Sequence, residues 1–245
     1  MKHLVIFLML FFSISSVLFG QLEEKMKKEG VVKGTIIKNG KATDGFIKIL
    51  GKTYHDDKWY PAPWEFQSKI KFIPTKTFEN TEKVKNKHFE KYDAKDIDGY
   101  TYDSLVYESV KYADMSAVGM NMLPKKMFMR RIADDKISLY VHFYEMPDVM
   151  VYEGNEYVEL LEENAKPNLV YKIGKNGKLK LVNNLNIEKE LSDCPQIVEK
   201  QKKGEYKVVG KDGEEASGLK KVLNNSVFRE DVRLQAIQDY NENCN

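Results

Sequence analysis

The chain has 245 residues, with 39 Lys and Arg against 37 Asp and Glu, and 31% of its residues are charged. A formal charge of +2 spread over both signs gives no electrostatic reason to expect nucleic acid, and little to expect an anionic membrane. Aromatic residues make up 11%, fourteen of the residues are tyrosine, and apolar positions often alternate, which favours sheet over helix.

The N-terminus reads as a secretory signal peptide. Lys2 precedes an unbroken apolar run from Leu4 to Phe12. Ser13, Ser15, Ser16 and Gly20 then lead into the polar Gln21-Leu22-Glu23-Glu24-Lys25, which places cleavage after Gly20. A membrane anchor is the rival, but Leu4 to Phe19 is sixteen residues, short of the roughly 20 a spanning helix needs. No cysteine sits at the cut, which argues against a lipid anchor. The expected product is exported, periplasmic or extracellular, with no transmembrane span after cleavage. Its expected organisation is a signal peptide over 1–20, a β-rich domain over 21–185 and a helical segment over 186–245 packed on it.

Residues 21–29 are charged and read as a loose lead-in. Val31 to Leu50 then predicts a β-hairpin around Asn39-Gly40, both of which tolerate positive φ. Gly34 and Gly45 mark bulges or crossing points. Two prolines within the aromatic cluster Tyr54, Trp59, Tyr60, Pro61, Pro63 and Trp64 read as a loop over 51–65. A short strand follows at Ile70–Ile73, a polar stretch at Lys76–Lys91, a turn at Tyr92–Gly99, a strand at Tyr100–Val110 and a connection at Met115–Lys126.

A second hairpin pairs Met127–Ile132 with Lys136–Tyr144, where Leu139, Val141 and Phe143 alternate with Ser138, Tyr140, His142 and Tyr144. Strands are expected at Val149–Tyr152 and Tyr157–Leu161. A third hairpin joins Asn168–Ile173 to Lys178–Val182. Beyond Asn183 the pattern turns helical. Asn186 caps a short helix through Leu191, and Asp193 caps a second helix that begins at Cys194, carries Pro195 in its first turn and ends at Gly204. Leu219–Leu223 reads as a helical turn. Phe228–Tyr240 reads as a helix with Phe228, Val232, Ala236, Ile237 and Tyr240 on one face. The expected class is α+β: a mostly antiparallel sheet, curled or in a sandwich, followed by a small helical end.

Cys194 and Cys244 are the only cysteines, and export favours a structural bridge between them over two free thiols. Asp93, Asp96 and Asp98 before Gly99 suggest calcium, but an EF-hand register puts Ala94 at position 1 and Leu105 at position 12, so an ordinary Asp-rich turn is favoured. His55, Trp59, Tyr60 and Trp64 form the candidate ligand-binding cluster, with coverage of a sheet end as the alternative. His142 reads as a strand residue. The sequence contains no Gly-x-Ser-x-Gly, no His-Glu-x-x-His and no phosphate loop; no catalytic residue, metal set or cofactor is assigned.

Three features resemble a group of uncharacterised exported proteins of Gram-negative bacteria: the signal peptide before Gln21, the hairpin from Gly34-Thr35-Ile36 through Asn39-Gly40 to Gly45-Phe46-Ile47, and the tail holding Asp193-Cys194-Pro195, Tyr240-Asn241 and Cys244. The resemblance implies export, a β-rich body with a short helical end, and the bridge; it implies no activity. The expected function is a non-enzymatic binding module of the periplasm or cell surface, with an envelope protein, peptide or glycan as partner. A hydrolase of extracellular polymer, using carboxylates with His55 or His142, and a structural envelope component are the alternatives.

Overall fold

A computed structural model describes residues 20–113, 123–146, 154–206 and 232–244. The class is α+β, dominated by antiparallel pairing. Expected features at the signal peptide (except Gly20), at 115–122 of the connection, at Val149–Tyr152, at Leu219–Leu223 and at Phe228 of the last helix lie outside the described residues. The chain divides into two compact units: Met1–Ile49 with Lys69–Ser104, and Leu50–Ser68 with Leu105–Asn245. Among the described residues no helix is long and apolar enough to cross a membrane.

The first unit holds strands β1 (Val31–Lys38), β2 (Lys41–Lys48), β5 (Lys69–Pro74), β6 (Glu90–Asp93) and β7 (Gly99–Tyr102), the first two joined as expected through Asn39 and Gly40 at φ 51° and 71°. Two consecutive left-handed residues give the turn whose twist matches the strands it joins. The register runs unbroken from Lys38 opposite Lys41 to Val31 opposite Lys48. Gly34 and Gly45 face each other in that ladder, so they are close-approach positions and not bulges. A Cβ on Gly45 would lie 2.3 Å from the Ile73 carbonyl oxygen, and one on Gly34 2.5 Å from that of Thr101.

Residues 20–29 are helical, correcting the loose lead-in expected over 21–29. This helix, α1, docks Leu22 and Met26 onto Val31, Phe46, Ile73, Phe78, Val84 and Phe89. The polar stretch beginning at Lys76 likewise contains helix α2 (Thr75–Asn80), whose Phe78 ring meets that of Phe46 at 4.2 Å. One buried aromatic is enough to hold so short a helix against the sheet, an anchor that a scan for apolar periodicity overlooks.

The second unit contains a hairpin at 52–61, described below, and the strands β8 (Leu105–Tyr112), β9 (Lys125–Ala133), β10 (Ile137–His142), β11 (Asn168–Ile173) and β12 (Lys180–Leu181), paired in that order. The strand expected over Tyr100–Val110 is two, because Asp103 adopts φ 56° in a turn between β7 (Gly99–Tyr102) and β8. The hairpin partner expected over Lys178–Val182 shrinks to two residues before a 3-10 turn at Val182–Asn184. Tyr157–Leu161, expected as a strand, belongs to helix α3 (Asn155–Asn164). Its buried residues, Tyr157, Leu161 and Asn164, recur at helical spacing.

Strand β10 is buried on both faces. Ile137, Leu139 and Val141 join a cluster with Leu191, Ile197, Leu234 and Ile237 from the C-terminal helices, whereas Tyr140 joins Val110, Met129 and Val170. Those helices are α4 (Ile187–Glu190), α5 (Pro195–Lys202) and α6 (Val232–Asn243). Asn186 caps α4 as expected, accepting a hydrogen bond from the Lys189 N–H at 3.0 Å. Gly204, at φ 66°, ends α5: its N–H donates to Gln201 and that of Glu205 to Lys200, a Schellman closure. The cap of α5 is Cys194 and not Asp193. The Asp193 carboxylate instead accepts from the Tyr240 hydroxyl at 2.6 Å.

Candidate functional site

Residues 52–61 form a two-stranded hairpin, β3 (Lys52–His55) and β4 (Lys58–Pro61), where the proline content had suggested a loop. Asp56 and Asp57 make its turn at φ 45° and 60°, a conformation that aspartate tolerates better than most residues. The prolines do not interrupt the ladder. Pro61 ends β4, and Pro63 opens the 3-10 helix Pro63–Gln67, where a missing N–H costs nothing.

The register places Tyr54 directly opposite Trp59, His55 opposite Lys58 and Thr53 opposite Tyr60. Alternation then divides the aromatic residues between two faces. On the outer face Tyr54 and Trp59 are 56% and 67% exposed, with ring centroids 5.1 Å apart and planes inclined at 55°. The Tyr54 hydroxyl donates to Asp57 at 3.1 Å, which fixes the ring. On the inner face His55 meets the Tyr157 ring of α3 edge-on at 4.5 Å, and its Nε2 lies 3.2 Å from the Asp56 carboxylate.

The hairpin stands on an anchored base. The Ala62 N–H donates to Gly51 at 2.8 Å, and the Gly51 N–H donates to the Glu65 carboxylate at 2.7 Å. Buried Gln67 pairs its amide with both backbone groups of Phe143, donating at 2.7 Å and accepting at 2.6 Å.

Of the four sequence candidates, Trp59 alone is exposed. His55, Tyr60 and Trp64 are half-buried. Tyr54 is the outward partner that the sequence reading left out of the site. A two-residue turn at Asp56-Asp57 was the signal for it, since that turn places residues 54 and 59 opposite each other.

The other candidate groups serve the fold. His142 is buried against the rings of Tyr112 and Tyr144, at 5.1 and 5.6 Å. Asp93 accepts from the Lys95 N–H, Asp96 from that of Asp93, and Asp98 from that of Gly40, so these carboxylates close turns. Among the described residues no three potential metal ligands converge. Cys194 and Cys244 lie at disulfide distance, with sulfurs 2.05 Å and Cα atoms 5.8 Å apart.

Burial and a neighbouring carboxylate raise the ionisations of Tyr92 and Tyr140 as well as those of Tyr171 and Tyr206, whose partners Glu190 and Asp239 lie on the C-terminal helices. Burial opposes ionisation of Glu190, but hydrogen bonds from Lys180, Tyr171 and the Asn186 N–H outweigh it and hold the carboxyl below its ordinary 4.5. Burial likewise opposes ionisation of Asp239, and bonds from Lys200, Tyr206 and Asn243 hold it below 3.8. The bond to Asp193, with burial, raises the Tyr240 hydroxyl to about 12. A carboxylate with a lower pKa in the fold stabilises above its unfolded value and loses that contribution as pH falls through the folded one. Urea-denaturation stability is therefore expected to fall as the pH drops below about 4.5. The fall should be steeper in the wild type than in the Glu190→Gln/Asp239→Asn variant. Parallel pH profiles would show that these carboxylates do not couple folding to protons.

No protein family matches the chain, and neither a curated protein nor a solved structure does.

Proposed function

We propose that the protein is an exported, non-enzymatic binding module of the periplasm or cell surface, taking a glycan on the outer face of the β3–β4 hairpin. The observation that carries this reading is the exposed Tyr54–Trp59 pair. Two large rings held in solvent are costly unless something covers them, and ring faces stack well on the C–H faces of sugars. Charged Lys52, on the same face, and the turn residues Asp56 and Asp57 flank the pair and are all exposed. Such a rim supplies donors and acceptors for hydroxyl groups. Protein interfaces, by contrast, deplete Lys and Asp and need about 800 Å² per partner, more than two rings offer. Export is supported by the apolar N-terminus and by the paired cysteines.

The test is a fluorescence titration with soluble oligosaccharides from peptidoglycan and outer-membrane polysaccharide, with Trp59 as reporter. Trp59→Ala and Tyr54→Ala are each expected to weaken binding about tenfold, on the scale of one lost ring contact. Both should leave the thermal midpoint nearly unchanged, because each ring is mostly exposed. Undiminished sugar binding by both variants would remove the hairpin as the site. Binding to an envelope protein with none to any oligosaccharide would replace the glycan by a protein partner.

A further inference from the structure

We infer that Gln21 becomes the terminal residue of the exported chain and closes to a pyroglutamyl ring, making it a modification site; this rests on the export reading above. Cleavage after Gly20 would leave the α-amine of a glutamine free. That is the one amide side chain placed to form a five-membered lactam with its own terminus. The amine nitrogen attacks the side-chain amide carbon, the new C–N bond forms and the side-chain nitrogen leaves as ammonia. No oxidant, cofactor or second substrate is needed. An α-amine of pKa near 8 is partly unprotonated, and so nucleophilic, at neutral pH.

The structure leaves room for this ring and gives it an electrostatic advantage. Gly20 and Gln21 are exposed, and burial begins with Leu22 and Met26 on the first unit's core. Lys25 holds the next turn, donating to the carbonyls of Phe78 and Thr81 at 2.7 Å each, with its ammonium 4.9 Å from the Phe78 ring centre. Farther along, Lys48 donates to the Glu29 carbonyl at 3.1 Å. The helix is thus tethered from its second mature residue onward, while the exposed Gln21 side chain makes no hydrogen bond to another described residue. Its amine would otherwise put a positive charge at the positive end of the α1 dipole, where Glu23 and Glu24 already supply the favoured sign. Lactam formation removes that charge.

Protein purified from its native exporting host, with the intact mass and N-terminal peptide measured, decides the matter. The expected chain starts at residue 21, is about 17 Da lighter than its unmodified sequence and resists stepwise N-terminal degradation until pyroglutamyl aminopeptidase exposes Leu22. The Gln21→Ala variant should carry a free amine and its full mass. A wild-type chain starting at Gln21 with a free amine, or at another residue near the cut, overturns the ring and leaves export standing. A chain that retains residues 1–20 overturns both.

Discussion

Replacing Cys194 and Cys244 together with alanine is expected to lower the stability of the oxidised protein by about 4 kcal/mol, the chain-entropy cost of closing a 50-residue loop. The two sulfurs join the start of α5 to the residue after α6, and both cysteines are buried. Nearby contacts depend on the same alignment. Gln196 donates to the Asn243 carbonyl at 2.9 Å, Lys200 bonds Asp239 at 2.7 Å and Tyr240 bonds Asp193. Because the bridge acts largely by restricting the unfolded chain, its removal should also raise the denaturant m-value. Urea titrations of the wild type, with and without reductant, and of the double variant check both quantities. A loss below about 1 kcal/mol would mean that these contacts align the helices without the bridge.

Asn241→Ala is expected to cost about 3 kcal/mol, from two buried backbone groups left without partners. Its side-chain amide accepts from the Ile137 N–H at 2.8 Å and donates to the Ile137 carbonyl at 2.9 Å, across 104 residues. Ile137 is fully buried at the start of β10, so water reaches those groups poorly. Gln67 makes the same two-pronged bond to Phe143, just past the other end of β10. Asn241→Asp keeps the acceptor but sets a carboxylate against the Ile137 carbonyl, so it should not restore stability. In the cysteine-free background the Asn241→Ala penalty should shrink, since α6 is then held less firmly in any case. Equal penalties in both backgrounds would show that the amide and the bridge act independently. A penalty under about 0.5 kcal/mol in the native background would show that solvent replaces the amide.

Elements whose cause is local were legible from residue order. Asn39-Gly40 sets the first hairpin, Asn186 caps α4, and Gly204 closes α5. Each depends on what a few neighbouring residues do to φ or to an unpaired N–H. The aromatic hairpin was hidden by a correct rule applied to the wrong positions: proline disrupts a strand's interior, but Pro61 and Pro63 stand at its end and beyond. Tyr157–Leu161 failed for another reason. A short apolar run fits strand and helix alike, and the burial of Tyr157, Leu161 and Asn164 resolved it.

By itself the sequence determined the α+β class, the two best hairpins, the capped helical end and the inventory of aromatic residues and cysteines. Tertiary structure decided which of those residues meet. It set Tyr54 beside Trp59 in solvent and turned His55 inward onto Tyr157. It also took Asp193 from its expected cap to Tyr240 and carried Asn241 to Ile137. Turns and caps are settled by steric and hydrogen-bonding preferences within a few residues. Partners 47 or 104 positions apart are selected only when burial of a shared core outweighs the entropy of closing the loop between them.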